Sequence, residues 1–291
     1  MRGYVPDCEV RVPASLPEAL ELMATGAHRP LAGGTDLMVV FNAGRLPFDR
    51  FLDLSRLLEL RSIEENPTHL GIGALSTFRD LEDCPAVHRH LPNLVKSARA
   101  TGALAIQNRG TLGGNIVNAS PAADTPPSLL AYGAELELVS VRGSRRVAYE
   151  AFHRGYKTMD LAADELVAKV WVPKPQGLGF HFFRKVGTRQ AQAISKVCLA
   201  AYARIEAGLV AEFRVGLGSV APVPARARAA EAFIRDTALG SLPVDAACEA
   251  LLGDISPIDD IRSTARYRAR VAQNVFRQMI EELEGTLTPE A

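Results

Sequence analysis

Two glycine-rich stretches stand out in the sequence: Leu31-Ala32-Gly33-Gly34-Thr35-Asp36-Leu37 and Gly110-Thr111-Leu112-Gly113-Gly114-Asn115. Paired glycines permit positive φ angles and carry no Cβ, so successive N–H groups can turn outward and form an anion-binding concavity. Thr35 and Thr111 add hydroxyl donors, and Asn115 adds an amide. Neither stretch has the lysine of a Walker A motif, so metal-assisted phosphoryl transfer is not indicated. One glycine pair alone is commonly just a turn, but two such stretches fit one diphosphate held between two subdomains.

A stiff segment of small residues and prolines follows the second stretch, from Asn115 to Pro127. Such a backbone can approach a ligand closely, and Asp124 could accept hydrogen bonds from ribose hydroxyls, as acidic residues do in other dinucleotide sites. A second interpretation is that Asp124 and Thr125 cap a helix that begins at Pro126. The two interpretations are compatible, and the residues alone do not choose between them.

The overall composition excludes several classes of protein. The 291 residues include 33 basic and 33 acidic side chains, and this balance argues against a dedicated binder of nucleic acid or anionic membranes. An apolar fraction of 47% and a charged fraction of 23% are typical of a globular protein, and the length favours two or three subdomains. No run reaches the roughly 18 apolar residues of a membrane span. The N-terminal residues lack the apolar stretch of a signal peptide, so we expect a cytoplasmic location.

The four cysteines are scattered along the chain as Cys8, Cys84, Cys198 and Cys248. Because no C-x-x-C occurs, the sequence contains neither a zinc ribbon nor a ligand cluster for an iron–sulfur centre. Disulfides are not expected in a reducing compartment, so we interpret these residues as small apolar side chains of the interior. The sequence predicts no metal site.

The first 55 residues have the pattern of a small α/β unit. Ser15 and Glu18 have the spacing of a capping box, and they predict a helix that stops near Gly26. A short extended piece at 29–31 leads into the first glycine-rich stretch. The apolar residues 37–41 either begin a helix or continue a buried segment.

The next region, residues 56–175, predicts a mixture of short strands and helices. Helices are expected from Thr77, interrupted at Pro85, and over residues 92–100. Residues 70–75 alternate with glycines. Strands are expected at 135–141, 146–149 and 165–172, with residues 142–145 as the turn of a hairpin. Residues 173–177 contain two prolines and a glycine, and they are the best candidate for a linker between domains.

Beyond the linker the pattern simplifies to three strands followed by helices. The strands are expected at 179–186, 196–206 and 209–216, with Ala207-Gly208 as a tight hairpin turn. Helices are expected at 225–235, at 244–252 and from about Thr264. The last helix carries an apolar stripe from Tyr267 to Leu283, which is more typical of a core or subunit contact than of a ligand site.

Taken together, these motifs closely resemble the flavin-binding (medium) subunit of molybdenum hydroxylases. This is the FAD-carrying chain of the xanthine dehydrogenase and carbon monoxide dehydrogenase family. The resemblance covers nearly the whole chain. Besides the two glycine-rich stretches it rests on the following residues: Asn118-Ala119-Ser120-Pro121, Asp124, Lys185-Val186-Gly187-Thr188-Arg189 with Ala191 and Ile194, the run from Val220 to Ala227, Asp260-Ile261-Arg262 and Tyr267-Arg268.

The resemblance implies an α+β fold with two domains. Residues 1–175 would form a PCMH-type FAD-binding domain of two α/β subdomains, at about 1–55 and 56–175. Residues 176–291 would form the C-terminal domain of the FAD subunit, with a three-stranded antiparallel sheet and helices. The pattern of strands and helices beyond residue 179 has the same order.

The resemblance also implies a set of FAD-binding residues. Backbone N–H groups of two segments would hold the pyrophosphate, and these segments comprise Leu31, Ala32, Gly33, Gly34, Thr35 and Asp36, and then Thr111, Gly113, Gly114 and Asn115. Asp124 would meet the adenosine ribose, Leu166 would pack near the cofactor, and Lys185 would lie close to the flavin ring. No histidine or cysteine near these segments suggests a covalent tether, so the implied FAD is non-covalent. No catalytic side chain is implied, because the flavin itself performs the chemistry.

Two positions depart from the family pattern. Gly110 stands where alanine is frequent, and Phe41-Asn42 replaces a more usual Met-Lys pair. Neither change touches the residues expected at the pyrophosphate, although both bear on the shape of the flavin pocket.

The function implied is that of an oxidoreductase subunit in a multi-subunit complex. Electrons from [2Fe–2S] clusters on a small partner chain would reach FAD here and pass to NAD⁺ or another acceptor, while a large partner chain holds the molybdenum cofactor. The absence of C-x-x-C agrees with iron–sulfur centres on another chain.

Two other functions remain open at this stage. One is a stand-alone FAD-dependent oxidase or dehydrogenase with its own organic substrate, although the sequence shows no obvious acid–base constellation for it. The other is a non-catalytic module that has lost its flavin, against which the intact glycines and Asp124 speak.

Overall fold

Residues 9–53 form a three-stranded parallel sheet with two helices. This computed structural model describes residues 7–177 and 179–286 of the chain. In the sheet, β1 and β2 both pair in parallel with the central β3. The elements are β1 (Glu9–Arg11), α1 (Leu16–Ala24), β2 (Arg29–Leu31), α2 (Leu37–Asn42) and β3 (Arg50–Asp53).

The two helices of this unit begin as local chemistry dictates. Ser15 Oγ accepts a hydrogen bond from Glu18 N at 3.4 Å, and the predicted start of α1 is confirmed. The apolar run after the first glycine-rich stretch is the helix α2, and none of its residues is buried. Of the two alternatives for that run, the structure therefore shows the helix.

Residues 58–173 contain a five-stranded antiparallel sheet in the order β4-β5-β10-β6-β7, with its helices inserted between the strands. After a short 3₁₀ helix at Leu58–Leu60, the elements are β4 (Ile63–Glu65), β5 (His69–Gly73), α3 (Phe78–Asp83), α4 (Pro85–His90), α5 (Pro92–Ala100), α6 (Leu104–Gln107), α7 (Leu112–Val117), α8 (Pro126–Tyr132), β6 (Glu135–Ser140), β7 (Gly143–Ala148), α9 (Tyr149–Phe152), β8 (His153–Gly155), β9 (Thr158–Met159) and β10 (Leu166–Pro173).

The hairpin between β6 and β7 is tighter than the sequence predicts. Ser140 pairs with Gly143, so the turn consists of residues 141–142 and the expectation of a turn at 142–145 is wrong. Gly143 has a φ of +117°, which lets the chain reverse one step earlier. Arg145 consequently lies in a strand, where its Nε reaches Glu165 Oε1 at 2.7 Å.

Residues 179–285 form an antiparallel sheet covered by three helices. The elements are β11 (Gly179–Val186), β12 (Val197–Glu206), β13 (Leu209–Gly218), β14 (Ala225–Arg226), α10 (Arg228–Ile234), α11 (Val244–Asp254) and α12 (Ala265–Gly285). The expected mixture of helices and strands is confirmed, but this sheet has four strands in the order β11-β12-β13-β14. The expectation of three strands is wrong, because the two-residue strand β14 is a fourth.

The fourth strand exists because a buried carboxylate holds Arg226 in an extended conformation. Glu231 is fully buried, and it accepts hydrogen bonds from Arg226 Nε at 2.8 Å and from Val215 N at 2.7 Å. These bonds fasten Arg226 beside β13, so α10 begins at Arg228 rather than at residue 225. Local sequence does not show that Glu231 is buried beside β13, which is what holds Arg226 in place.

The apolar side chains form three clusters. One lies under the five-stranded sheet, one between the four-stranded sheet and its helices, and a smaller one in the N-terminal unit. The stripe of α12 belongs to the second cluster, since Met279 and Leu283 are fully buried there. No helix among residues 7–177 and 179–286 combines the length and the apolar character that crossing a membrane requires.

Candidate functional site

The first glycine-rich stretch forms a turn between β2 and α2 that leaves backbone donors open. Gly34 has a φ of +73°, a conformation that glycine adopts at little cost. The N–H groups of Gly33, Gly34 and Thr35 donate no hydrogen bond to any residue that the structure describes. Three successive open N–H groups in a turn of this kind form a concavity suited to an anion. We call residues 33–35 the open turn.

The open turn rests directly on the backbone that leads into the second glycine-rich stretch. A Cβ built on Gly33 would lie 1.8 Å from the carbonyl oxygen of Arg109 and 3.1 Å from the Cα of Gly110. Only a residue without a side chain permits this approach. The two stretches, far apart in sequence, are therefore neighbours in space, as one diphosphate held between them requires.

The second stretch is the start of helix α7, not a loop. Thr111 is its N-cap, and Thr111 Oγ1 accepts a hydrogen bond from Gly114 N at 3.1 Å. The remaining donors of the first turn also have partners inside the protein: Leu112 N donates to Ser76 O at 2.9 Å, Gly113 N to Ala74 O at 2.8 Å and Asn115 N to Thr111 O at 2.9 Å. The backbone N–H groups that the sequence offered as phosphate donors are thus already engaged.

Glycine serves a different purpose in this helix. A Cβ on Gly113 would lie 2.6 Å from the Cβ of Ala74 and 2.8 Å from its carbonyl oxygen. Gly113 therefore allows α7 to lie against the chain that leaves β5. What this stretch can still offer a ligand is the hydroxyl hydrogen of Thr111 and the side-chain NH₂ of Asn115.

The segment before α8 binds back to α7 through side chains. Thr125 Oγ1 donates to Asn115 Oδ1 at 2.6 Å, which orients the Asn115 amide. Thr125 is the N-cap residue of α8, as that interpretation expects, but neither its side chain nor that of Asp124 makes a cap hydrogen bond. Thr125 has φ −80° and ψ −31°, a helical rather than an extended conformation, and its hydroxyl is engaged with Asn115.

Asp124 and Lys185 form a buried ion pair. Lys185 Nζ lies 2.6 Å from Asp124 Oδ2, and each side chain is 9% exposed. The same Nζ donates to Ala100 O at 2.8 Å, and Ser195 Oγ donates to Asp124 Oδ1 at 2.6 Å. Burial raises the pKa of the Asp124 carboxyl above its ordinary value, while Lys185 and Ser195 oppose that rise. The pair joins β11 of the C-terminal domain to the flavin-domain segment that the sequence singles out.

Ser195 is a member of this cluster that sequence reasoning missed. It follows Ile194, which belongs to the resemblance, but nothing in the local pattern marks the serine itself. A chemical argument could have indicated Ser195, because a buried carboxylate such as that of Asp124 needs hydrogen-bond donors for both oxygens. Lys185 serves one oxygen, and the hydroxyl of Ser195, ten residues further along the chain, is a candidate donor for the other.

The other predicted residues surround the open turn in different ways. Leu166 is 4% exposed and lies in the N-terminal apolar cluster, against which Ala32 also packs. Leu31 accepts a hydrogen bond from Leu54 N at 2.9 Å through its carbonyl, which anchors the turn to β3. Asp36 is exposed at the start of α2. The structure thus brings the predicted residues into two neighbouring groups, one at the open turn and one at the Asp124–Lys185 pair.

A family model described as the FAD binding domain in molybdopterin dehydrogenase matches residues 6–175. The chain belongs to this family. A second family model, described as the CO dehydrogenase flavoprotein C-terminal domain, matches residues 182–283. Within this family the chain is the FAD-binding subunit of an oxidoreductase of the molybdenum hydroxylase type, as the resemblance implied.

Similar proteins are FAD-binding or medium subunits. A putative xanthine dehydrogenase FAD-binding subunit of Escherichia coli K12 is 33% identical over 92% of this chain and 93% of its own length. The nicotine 6-hydroxylase medium subunit of Paenarthrobacter nicotinovorans is 30% identical over 96% of this chain and 98% of its own. A solved chain of carbon monoxide dehydrogenase from Hydrogenophaga pseudoflava superposes with a TM-score of 0.90 at 28% identity, covering 94% of this chain and 96% of that one.

The residues of this site fit the FAD that the family implies. The open turn offers a cradle of three unengaged N–H groups, and a side chain at Gly33 would fill the space between the two segments. Asp124 is an acidic acceptor next to Thr125, whose hydroxyl binds Asn115 of the second segment. Donors for a diphosphate and an acceptor for ribose hydroxyls are therefore both present.

Proposed function

We propose that this chain passes electrons from [2Fe–2S] clusters on a partner chain, through non-covalently bound FAD, to NAD⁺ or another acceptor. The observation that carries the proposal is the open turn, whose three N–H groups have no partner among the described residues and whose Gly33 lies against Arg109 and Gly110. Such a concavity suits an anionic group such as the pyrophosphate of FAD. When bound, FAD can accept electrons singly and release them as a pair, and the protein supplies placement and electrostatics.

We assign the FAD contacts to this chain's residues as follows. The N–H groups of Gly33, Gly34 and Thr35 donate to the pyrophosphate, and the Thr111 hydroxyl and the Asn115 amide approach it from the other side. Asp124 accepts from the adenosine ribose, since each of its oxygens has a lone pair left beside Lys185 or Ser195. This assignment keeps Thr111 and Asn115 but replaces the amides of α7 by their side chains, and it leaves Gly113 and Gly114 as residues that pack and cap the helix.

Lys185 fixes Asp124 through the 2.6 Å ion pair, so an Asp124 that meets the adenosine ribose places Lys185 at the same end of FAD. A Lys185 close to the flavin ring would instead require Asp124 to meet another part of the cofactor, because the diphosphate and the ribityl chain separate that ribose from the ring. Because Asp124 already balances its charge, we expect Lys185 to act mainly by holding Asp124 and only weakly on the flavin potential. A Lys185→Ala variant tests this. A flavin potential shifted far from that of the wild type, at unchanged FAD affinity, would show that Lys185 acts on the flavin rather than by holding Asp124.

The partners belong to the proposal as well. The large partner would hold the molybdenum cofactor and hydroxylate the substrate, and the small partner would hold the [2Fe–2S] clusters. Support comes from the names of the relatives, which are medium subunits or chains, and from the absence of C-x-x-C in this sequence.

The decisive experiment compares the chain produced alone with the chain produced together with the neighbouring genes. We expect FAD with either preparation, iron only with the second, and reduction of the flavin absorption by the molybdenum-site substrate only in the complex. Sustained turnover of an organic donor by the purified chain alone would favour a stand-alone oxidase instead. A chain that takes up no FAD in either preparation would contradict the proposal altogether.

A further inference from the structure

A cavity of about 560 Å³ lies between the flavin domain and the four-stranded sheet, away from the open turn. Its wall carries five guanidinium groups, those of Arg204, Arg214, Arg226, Arg228 and Arg235. Three carboxylates, those of Glu135, Glu150 and Glu212, stand among them. Two further carboxylates, those of Glu206 and Glu231, pair with Arg204 and Arg226.

Two of the arginines are held rigidly and form the frame of the cavity. Arg226 has a side chain 9% exposed, and its Nη2 lies 2.5 Å from Oε2 of the fully buried Glu231. Arg228 binds both oxygens of Glu150, with Nε–Oε1 and Nη2–Oε2 distances of 2.7 Å. These carboxylates are therefore fully engaged and cannot neutralise further arginines.

Arg204 and Arg214 project from one face of β12 and β13. Arg204 pairs with Glu206, whereas Arg214 has too few acceptors. Arg204 pairs in register with Glu212, and Arg214 pairs with Tyr202, the next residue on the same face of β12. Glu212 is the carboxylate between them, 2.8 Å from Arg214 Nε and 3.7 Å from Arg204 Nε. Neither Nη group of Arg214 donates a hydrogen bond to a residue within the described ranges, although the side chain is only 35% exposed.

The position of the Arg214 guanidinium is set by the backbone. Gly133, which ends α8 with a φ of +65°, is so near that a Cβ on it would lie 1.8 Å from Arg214 Nη1. A guanidinium fixed in this way loses little conformational freedom when it binds an anion, and its planar fork matches carboxylate and phosphate groups.

We propose that this cavity binds a small organic anion through a phosphate or carboxylate group. Arg214, whose Nη groups have no acceptor among the described residues, and the exposed Arg235 would grip the anionic group. The volume falls within the roughly 300–1,000 Å³ that is usual for small-molecule sites.

This site is separate from the proposed FAD site. Asp124 stands before the first residue of α8, whereas Gly133 stands at its other end, seven helical residues away, which is about 10 Å of helix. The inference therefore does not depend on the proposed function. It also implies that a bound anion and FAD can occupy the chain together.

The test is calorimetric titration of the FAD-loaded protein with pyrophosphate and, separately, with succinate, at ionic strength held constant with sodium chloride. We expect saturable binding of at least one probe, at one site per chain. Arg214→Gln should weaken it at least tenfold, while Arg79→Gln, which removes an exposed arginine paired with Glu82 and Asp83, should leave it unchanged. FAD content and the flavin spectrum should be the same in all three proteins.

Two further variants keep the result interpretable. Arg235→Gln alters an exposed lining residue that makes no ion pair with a described residue, so it tests the cavity even if Arg214→Gln folds poorly. Gly33→Ala tests whether a probe binds at the open turn instead, because binding at the open turn would weaken in this variant. Absence of saturable binding, or binding that depends on Gly33 but not on Arg214 or Arg235, would overturn the inference.

Discussion

The open turn leaves the N–H groups of Gly33, Gly34 and Thr35 without a protein partner within the described chain, whereas α7 commits those of residues 112–115 to acceptors inside the protein. Both segments have a glycine pair next to a threonine, so in sequence they look equivalent. In the first, glycine supplies a positive φ and a close approach to Arg109. In the second, it supplies close packing of a helix on Ala74. The same residue type thus creates open donors in one place and a fixed support in the other.

The difference assigns different tasks to the two segments. The open turn would bind the cofactor through its backbone, which substitution of side chains leaves in place. The Thr111 segment would bind through a hydroxyl and an amide, which substitution removes. Variants at the two segments should therefore respond to different chemical changes, and this separates the two roles experimentally.

The largest effect is expected at the Asp124–Lys185 ion pair, which joins the segment before α8 to β11 of the C-terminal domain. Lys185→Met would leave the buried Asp124 carboxylate without its partner, and losing one member of a buried pair costs about 3–5 kcal/mol in the free energy of unfolding. Denaturant unfolding measures this. Lys169→Met is the matched control, because Lys169 pairs with the exposed Glu64 and should lose no more than about 1 kcal/mol. Equal losses of unfolding free energy in the two variants would show that the buried ion pair contributes no more to stability than the exposed one.

The open turn is broken most directly by Gly33→Ala. The added Cβ would meet the Arg109 carbonyl at 1.8 Å, so the turn must move away from the second segment, and we expect the affinity for FAD to fall about a hundredfold, or 2.7 kcal/mol. Quenching of flavin fluorescence measures the dissociation constant. Gly253→Ala changes a glycine with open space around its Cβ position and should bind FAD as the wild type does. Wild-type affinity in Gly33→Ala would remove the open turn from the site.

A smaller effect is expected at Thr111. Thr111→Val removes the N-cap hydroxyl, which should lower stability by about 1 kcal/mol and, with the loss of one FAD contact, lower FAD affinity by about tenfold. Thr111→Ser keeps the hydroxyl and should restore both quantities. Should Thr111→Val lose stability while it keeps full affinity, the hydroxyl would be a structural cap alone.

The smallest effect is expected at Thr35. Thr35→Val keeps the backbone N–H group and removes only the hydroxyl, so we expect FAD affinity to change by less than about threefold, which is under 1 kcal/mol. The same fluorescence titration applies. A loss greater than that of Thr111→Val would mean that both segments bind through side chains, and the contrast between them would disappear.

Much of the site could be predicted from residue types because its requirements are local. The glycine pairs, the start of α1 at Ser15 and the strands around Ala207-Gly208 all follow from neighbouring residues. Ser195, the strand β14 and the tighter β6–β7 turn could not be predicted in the same way. For Ser195 the deciding partner, Asp124, is 71 residues away. For β14 it is Glu231, a buried carboxylate five residues beyond Arg226 that also binds β13 at Val215 N, and residue types alone do not reveal that burial.

By itself, the sequence determined which residues could serve a flavin cofactor and which family they resemble, since motif spacing and glycine conformations are properties of short segments. Only the tertiary structure decided which N–H groups remain free, because their competitors, the carbonyl groups of Ala74 and Ser76, come from another part of the chain. It also paired Asp124 with Lys185 and gathered the five arginines around one cavity. Hydrogen bonds and charges act over a few ångströms in space, and the fold alone sets those distances.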